Sequence, residues 1–244
     1  MAQRPAPPES PPPKVNIYGV NAIGKHIGQA VFTAVLLFLG AGSLDWGWGW
    51  VFAAVYTACW IGLSLALAVG NPELLNQRGQ RVKQATVGTP KWDLALLAIY
   101  FAMILLQPLV AGLDWRNAWS APVSPVVYGI GNVLMILGFA LLTWAMIANR
   151  YFEVTARIQE SRGHQVATGG PYRWVRHPGY AGVILQFLAL PMAVGAWAAL
   201  IPGAVGVAVF VIRTALEDRA LHQELPGYAA YAQQTRYRLI PGVW

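Results

Sequence analysis

Residues 178–212, PGYAGVILQFLALPMAVGAWAALIPGAVGVAVFVI, form a run without Asp, Glu, Lys or Arg. As one straight helix this run would be roughly 50 Å long, whereas the hydrocarbon core of a bilayer is about 30 Å thick. Membranes tolerate helix breaks where neighbouring groups re-satisfy the backbone. Such breaks occur here at Pro191, Gly195, Pro202 and Gly203. We therefore predict a helical hairpin in a membrane, with its turn near residues 195–198.

The composition of the whole chain agrees with a membrane location. Of its 244 residues, 56% are hydrophobic and 11% are charged, and the mean hydropathy is +0.45. Soluble domains usually carry about a quarter charged residues. A chain this poor in charge cannot cover a water-facing surface, so a bilayer is the predicted solvent. The uncharged blocks favour one membrane domain.

Four more uncharged segments precede the hairpin, and each is close to the roughly 20 residues that a bilayer crossing needs. Their predicted bounds are 27–44, 46–69, 94–113 and 126–148. The connection between the first two is very short, so these two helices are expected to be antiparallel neighbours.

Basic residues are concentrated in the segments that connect the spans, so we attribute the net charge of +7 to membrane orientation rather than to a nucleic-acid partner. The positive-inside rule places both termini in the cytoplasm, which requires an even number of crossings. Four spans plus a hairpin give six. The predicted fold class is all-α, a polytopic integral membrane protein, and the compact loops favour a bacterial inner membrane.

The chain divides into three predicted regions. Residues 1–14 are rich in proline without apolar periodicity, which predicts a disordered tail. Residues 15–148 form the four-span region, and residues 149–244 hold the hairpin. Polar segments 149–182 and 213–244 flank that hairpin. Because a hairpin returns to the face where it began, both polar segments are expected to close around a cytoplasmic pocket beside the lipid.

The segment before the hairpin combines rigid and polar residues. His177 precedes Pro178, which pushes the histidine backbone away from helix. Gly179 and Gly182 leave room for a second body to approach the backbone. His177 and Tyr180 then stand near a helix start, whose free N–H groups can receive acceptor groups. The alternative is an interfacial turn with an amphipathic tyrosine and no ligand.

An adjacent acidic pair, Glu217 and Asp218, follows the hairpin. Neighbours on a helix point about 100° apart, so one carboxylate is expected to face the pocket while the other faces water. A carboxylate on a basic membrane face favours a cationic ligand. A surface ion pair between Glu217 and Arg213, four residues earlier, is the alternative.

The C-terminal tail has its own alternative explanation. Tyr228 and Tyr231 share a helix face, and Arg236 and Arg238 follow them. An amphipathic tail with rings in the interface and arginines on lipid phosphates would show the same pattern.

Metal and thiol chemistry are not supported by the residue spacing. The lone Cys59 allows neither a disulfide nor a thiolate cluster. The histidines follow no metal-ligand pattern, so we predict no metal. They are His26, His164, His177 and His222.

The run 164–182, HQVATGGPYRWVRHPGYAG, followed after the hairpin by EDRAL at 217–221, resembles the isoprenylcysteine carboxyl methyltransferase family. Related membrane phospholipid methyltransferases carry the same pattern. The resemblance covers the region 149–244, and the first three spans match mainly in character. It implies a membrane methyltransferase that uses S-adenosylmethionine and takes a lipophilic or lipidated acceptor from the bilayer.

The resemblance also implies roles for individual residues. Glu217 would take the amino group of the cofactor. Arg176 and Arg213 would lie near the acceptor if it is a carboxylate, and His177 would belong to both the catalytic and the cofactor-binding set. The remaining cofactor-lining residues would be His164, Val166, Gly170, Tyr172, Pro178 and Tyr180.

The chain departs from the family pattern at two places. Asp218 stands where the family has a second glutamate. The segment before Tyr228 reads ELPGY, where the family commonly has a Phe-Gly pair and a longer spacing, so the register of Tyr228, Tyr231 and Arg236 is open by one residue.

Two other functions fit parts of the sequence. An NADPH-dependent sterol- or steroid-type membrane reductase would share the His-x-x-Tyr-x-Gly element at 177–182 and a C-terminal segment like RYRLIPGVW. The acidic pair suits a sulfonium ligand better than a 2′-phosphate. A membrane scaffold without enzymatic activity, anchored to lipids by its polar ends, is the other alternative.

Overall fold

The computed structural model describes residues 14–80, 88–159 and 162–244, so the predicted proline-rich tail lies outside the described residues except for its last position. In this part of the chain the regular structure is helical and no strand is present. The helices are α1 (Ile17–Ala41), α2 (Gly47–Gly70), α3 (Pro72–Gly79), α4 (Lys91–Asn117), α5 (Pro125–Ala148), α6 (Pro178–Val194), α7 (Leu200–Glu224) and α8 (Tyr228–Gln234).

Five helical segments in the described ranges are long and apolar enough to cross a membrane. They are α1, α2, α4, α5 and the segment Trp197–Glu224, which joins a short 3-10 turn to α7. The apolar helix α6 is shorter, at 17 residues, or roughly 25 Å. The predicted all-α polytopic membrane fold is confirmed.

Two helix boundaries differ from the prediction because asparagine caps were not recognised. Helix α1 begins at Ile17, well before residue 27, since the Asn16 side chain accepts hydrogen bonds from the N–H groups of Tyr18 and Gly19. The Asn71 side chain accepts from the N–H of Leu74 and starts α3. The sequence pattern at residue 71 predicted only the end of the second span.

The predicted hairpin is present, and its turn lies at Gly195, but the predicted breaks at the other three positions are wrong: Pro191 lies inside α6, and Pro202 and Gly203 lie in the first turn of α7. Helix α6 ends at Val194 and is capped by Gly195, whose φ of 69° is a conformation that favours glycine. The turn is held by the last turn of α4 and by the segment after it. The N–H of Ala198 donates to Asp114 Oδ2 at 2.9 Å, and the N–H of Trp197 donates to Ser120 Oγ at 2.9 Å. We call this end of the bundle, with the turn at residues 195–199 and the segment 114–120, the hairpin end.

Helix α6 packs closely along α5, and glycines make that approach possible. A Cβ atom added at Gly182 would lie 2.7 Å from the carbonyl oxygen of Gly138 and 2.9 Å from the nitrogen of Leu142. The second body expected near Gly182 is thus the backbone of α5. Near Gly179 it is the ring of Phe152, at 2.6 Å from an added Cβ.

We predict that Gly182→Leu destabilises the protein, because the new side chain must push two backbones apart. Overpacking usually costs about 1–3 kcal/mol, so the Tm in detergent should fall by about 2–12 °C. Gly129→Leu on α5 is the matched control, since nothing lies within 4 Å of a Cβ built there. Equal Tm values for the two variants would contradict this packing.

Candidate functional site

The C-terminal tail is joined to the segment before α6 at the end of the bundle opposite the hairpin turn, which we call the polar end. The N–H of Arg176 donates to the carbonyl of Tyr237 at 2.9 Å, and the N–H of His177 donates to the carbonyl of Arg238 at 2.9 Å. Val175 and Tyr237 form a parallel bridge. The two polar segments therefore meet, as the hairpin predicts.

Asp218 is the centre of the ion-pair network that holds this junction. Its carboxylate accepts two hydrogen bonds from Arg176, at 2.7 and 2.9 Å, and one from Arg238 at 2.8 Å. The Tyr228 hydroxyl donates to it at 2.8 Å, and His177 Nε2 lies 3.4 Å away. The expectation that one carboxylate of the acidic pair faces water is wrong, because the tail covers Asp218 and leaves it 1% exposed.

Arg176 has further partners in the tail. Its guanidinium also donates to the carbonyls of Thr235 and Arg236, at 2.9 and 2.7 Å. Burial by itself lowers the pKa of Arg176, but the ion pair with Asp218 outweighs burial and raises that pKa. The structure thus places Arg176 as the residue that ties the tail to the start of α6.

Glu217, the other member of the acidic pair, points away from this network. The Tyr180 hydroxyl donates a hydrogen bond to Glu217 Oε2, and the Tyr180 ring stacks on His177 with centroids 5.6 Å apart. Among the residues that the structure describes, no basic side chain lies within ion-pair distance of Glu217. Its carboxylate lines a cavity with charge available for a ligand.

That cavity, which we call the first cavity, lies between the segment 149–179, the start of α6, the end of α7 and α8. The empty space between these walls is about 1020 Å³ when the open solvent at its mouth is included. Seven of the predicted site residues line it: His164, Val166, Tyr172, Arg176, His177, Tyr180 and Glu217.

Three predicted site residues do not line the first cavity. Gly170 has a φ of +57°, and a Cβ there would lie 2.9 Å from Ala148 Cβ and 3.0 Å from Trp144 Nε1, so it shapes the turn against α5. Pro178 is the first residue of α6. Arg213 faces a different cavity.

Arg213 forms a buried ion pair with Asp93 at the start of α4. Its Nε lies 2.8 Å from Asp93 Oδ1, and a terminal nitrogen donates to the carbonyl of Val154 at 2.7 Å. Asp93 Oδ2 in turn accepts from the N–H of Ala156 at 2.8 Å. The guanidinium carbon lies 5.2 Å from the Tyr180 ring centroid. The ion pair therefore fixes the loop after α5, and its guanidinium packs against the Tyr180 ring.

A second, more apolar cavity adjoins the first. It encloses about 560 Å³ of empty space between α2, α4, α5, α6 and α7. Phe152, Glu153, Gly179 and Tyr180 line both cavities. A ligand in the first cavity and a ligand in the second would meet at these residues. Contact of Arg176 or Arg213 with an acceptor stays a prediction.

The loop after α5 closes the first cavity through aromatic and carbonyl contacts. The Tyr151 hydroxyl donates to the carbonyl of Gly163 at 2.9 Å, and its ring lies 4.8 Å from that of His164. Burial lowers the pKa of His164, so it is neutral at pH 7. The Tyr231 hydroxyl donates to the carbonyl of Tyr172 at 2.7 Å and attaches α8 to the same wall.

Several wall residues were not identified from the sequence. Phe152 and Tyr151 follow α5 directly, and the aromatic pair after a predicted span was the available signal. Asp93 was also missed, although an acid in the first turn of a membrane span is unusual and indicates a buried cation nearby.

Comparison with known proteins agrees with the sequence motif. Residues 131–223, from α5 through α7, match the model of the isoprenylcysteine carboxyl methyltransferase (ICMT) family, which confirms the resemblance predicted from the sequence. A relative, the uncharacterized protein YpbQ of Bacillus subtilis (strain 168), is 27% identical over 101 residues. The aligned part is 41% of this chain and spans 60% of the length of that relative.

Proposed function

We propose that this protein is an S-adenosylmethionine-dependent membrane methyltransferase that acts on a lipophilic acceptor. The proposed acceptor group is the carboxylate of an isoprenylcysteine-like or other isoprenoid or lipid molecule, with the polar end facing the cytoplasm. The observation that carries the proposal is the Glu217 carboxylate, which faces the first cavity without a basic partner in the described chain. The family match over α5 to α7 supports it.

The residues of the first cavity fit a cationic cofactor with an amino-acid end. Glu217 would hold the ammonium group, with its own orientation fixed by the Tyr180 hydroxyl. The rings of Tyr172 and Tyr228 also line the cavity, and aromatic faces attract cations such as a sulfonium. A 2′-phosphate of NADPH would instead be repelled by the free charge of Glu217.

When bound, S-adenosylmethionine supplies an electrophilic methyl group on a positively charged sulfur. A carboxylate acceptor needs no proton removed, so the protein contributes placement and exclusion of water rather than acid–base chemistry. Gly179 borders both cavities without a side chain, next to the rings of Phe152 and Tyr180, at the place where donor and acceptor would meet. For an amine or thiol acceptor, His177 or Glu217 would be the candidate base.

Arg176 and Arg213 act as positioning residues in this proposal. Arg176 holds the tail over the first cavity through Asp218 and two tail carbonyls. Arg213 fixes the loop after α5 and supports the Tyr180 ring. Neither guanidinium has to contact the acceptor for the geometry to depend on it.

Thermal-shift measurements on the purified protein in detergent test the function class. S-adenosylhomocysteine, the product of the cofactor, should raise the Tm, whereas NADPH should leave it unchanged. A shift with NADPH alone would favour a reductase, and a shift with neither would favour a scaffold. Labelled methyl transfer into a lipid extract, compared with a prenylcysteine analogue, then identifies the acceptor class.

We predict that Tyr180→Phe weakens S-adenosylhomocysteine binding by about threefold to tenfold, because the ring is kept and only the hydrogen bond to Glu217 is lost. Isothermal titration in detergent measures this change. Tyr128→Phe at the hairpin end is the control, where the ring stacks on Trp48. An affinity equal to wild type in Tyr180→Phe would show that Glu217 is oriented by other means.

A further inference from the structure

Arg78, in the last turn of α3, lines the second cavity, and the described residues offer its guanidinium a ring contact with Phe152 but no counter-charge. Its Nε is buried and has no hydrogen-bond partner, and no acid among the described residues lies within ion-pair distance of its guanidinium. Burial lowers the pKa of Arg78 to about 10, so the group is still charged at pH 7. A guanidinium nitrogen buried without an acceptor is costly, and an anionic ligand would offset that cost.

The other charged groups of this wall are already engaged. Arg213 donates to Asp93 and to a backbone carbonyl. Glu153 accepts two hydrogen bonds from Arg157, at 2.6 and 3.0 Å. Arg78 is therefore the charged side chain on the described wall of the second cavity that has no counter-charge within ion-pair distance, and the neutral Trp60 Nε1 is a second unpaired donor there.

The guanidinium of Arg78 lies near the junction of the two cavities. Its central carbon is 5.6 Å from the centroid of the Phe152 ring, and Phe152 lines both cavities. Away from this junction the wall is mostly apolar, with Trp60, Leu63 and Leu142 among its residues. The second cavity thus has a charged end next to the first cavity and an apolar remainder between helices.

We propose that Arg78 is the anion receptor of the second cavity and that the cavity binds a molecule with a terminal carboxylate on an apolar chain. The carboxylate would lie at the junction and the chain between the helices. The claim that the bound molecule is the methyl acceptor rests on the proposed function. The claim that the cavity binds such a molecule rests on the cavity alone. Arg78 lies outside the part of the chain that matches the family model.

Quenching of tryptophan fluorescence tests the site without any catalytic reaction. The probes are 9,10-dibromostearic acid and 9,10-dibromostearyl alcohol, which differ in the charged end. The wild-type protein in detergent should bind the acid about tenfold more tightly than the alcohol. Trp60→Phe should remove part of the quenching, because Trp60 lines the cavity. Equal binding of acid and alcohol by the wild type would overturn the proposal.

Variants assign the preference to Arg78. Arg78→Met keeps a long apolar side chain and should remove the preference for the acid, with alcohol binding within about twofold of wild type, whereas Arg78→Lys should keep part of it. Arg219→Met, at an exposed position of α7, is the matched control and should behave as wild type. A full acid preference in Arg78→Met would overturn the assignment.

Two further measurements separate the sources of failure and of ligand. Titration of the same samples with S-adenosylhomocysteine should give wild-type affinity in Arg78→Met. If S-adenosylhomocysteine bound to none of the samples, the proposed function would be contradicted. The result with the brominated probes would still be valid evidence for the carboxylate site. Displacement of the acid probe by N-acetyl-S-farnesylcysteine, but not by its methyl ester, would support the carboxylate site with an isoprenoid ligand. Failure to displace, with the acid preference intact, would support it with an acyl chain.

Discussion

Asp218→Asn is expected to cause the largest loss of stability of any single polar substitution in this protein. The Asp218 side chain is 2% exposed and pairs with Arg176 and Arg238. An asparagine keeps the shape but leaves the Arg176 guanidinium, itself 6% exposed, without a counter-charge. Removing one partner of a buried pair costs about 3–5 kcal/mol. The tail should detach from the start of α6 as a result.

Two readouts check the Asp218→Asn prediction. The Tm in detergent should fall well below that of wild type, and limited proteolysis should cut the chain after Glu224 faster. Asp45→Asn, at an exposed position near the hairpin end, should change neither. A Tm near wild type with a protease-resistant tail would show that the network around Asp218 is dispensable.

Glu217→Gln is expected to cause the largest loss of cofactor affinity while the fold stays intact. The glutamine still accepts the hydrogen bond from Tyr180, but it has no charge for an ammonium group. Loss of one partner of a desolvated charge pair costs about 2–5 kcal/mol, so affinity for S-adenosylhomocysteine should fall about 30-fold or more. Membrane insertion and the Tm without ligand should be close to wild type.

Neighbouring positions on one helix thus have opposite expected phenotypes. Glu217→Gln should lose binding but keep stability, whereas Asp218→Asn should lose stability first. Isothermal titration and thermal unfolding on both variants, with Asp45→Asn as the common control, separate the two effects. Unchanged affinity in Glu217→Gln would reject the role of this carboxylate.

The apolar part of the fold was predictable because each membrane span is a continuous stretch of uncharged residues. Runs without charge located the four spans and the hairpin, and the Pro and Gly breaks located the turn at Gly195. Where the prediction differed, short-range polar chemistry was the cause. Asn16 extends α1 through a segment that contains Lys25, and Asn71 both follows α2 and caps α3.

The site was partly predictable for the same reason. His177, Tyr180 and the acidic pair at 217–218 were identified from the residues themselves, the other cofactor-lining positions in 164–180 came from the family resemblance, and the structure brings Tyr180 and Glu217 into contact. The partners of Asp218 and Arg213 could not be obtained in this way. Asp93 lies far from Arg213 along the chain, and a single sequence does not show which distant acid meets which base. Burial of Asp218 depends on the tail folding over it.

Hydrogen exchange measured by mass spectrometry with and without S-adenosylhomocysteine is the most direct test of the central claim. The claim is that the segment before α6 and the chain from Arg213 onward together enclose a cationic cofactor at Glu217. We predict slower exchange in residues 149–182 and 213–238 and no change at the hairpin end, residues 118–124 and 195–199. Binding without protection of both segments, or with protection confined to the hairpin end, would contradict the claim.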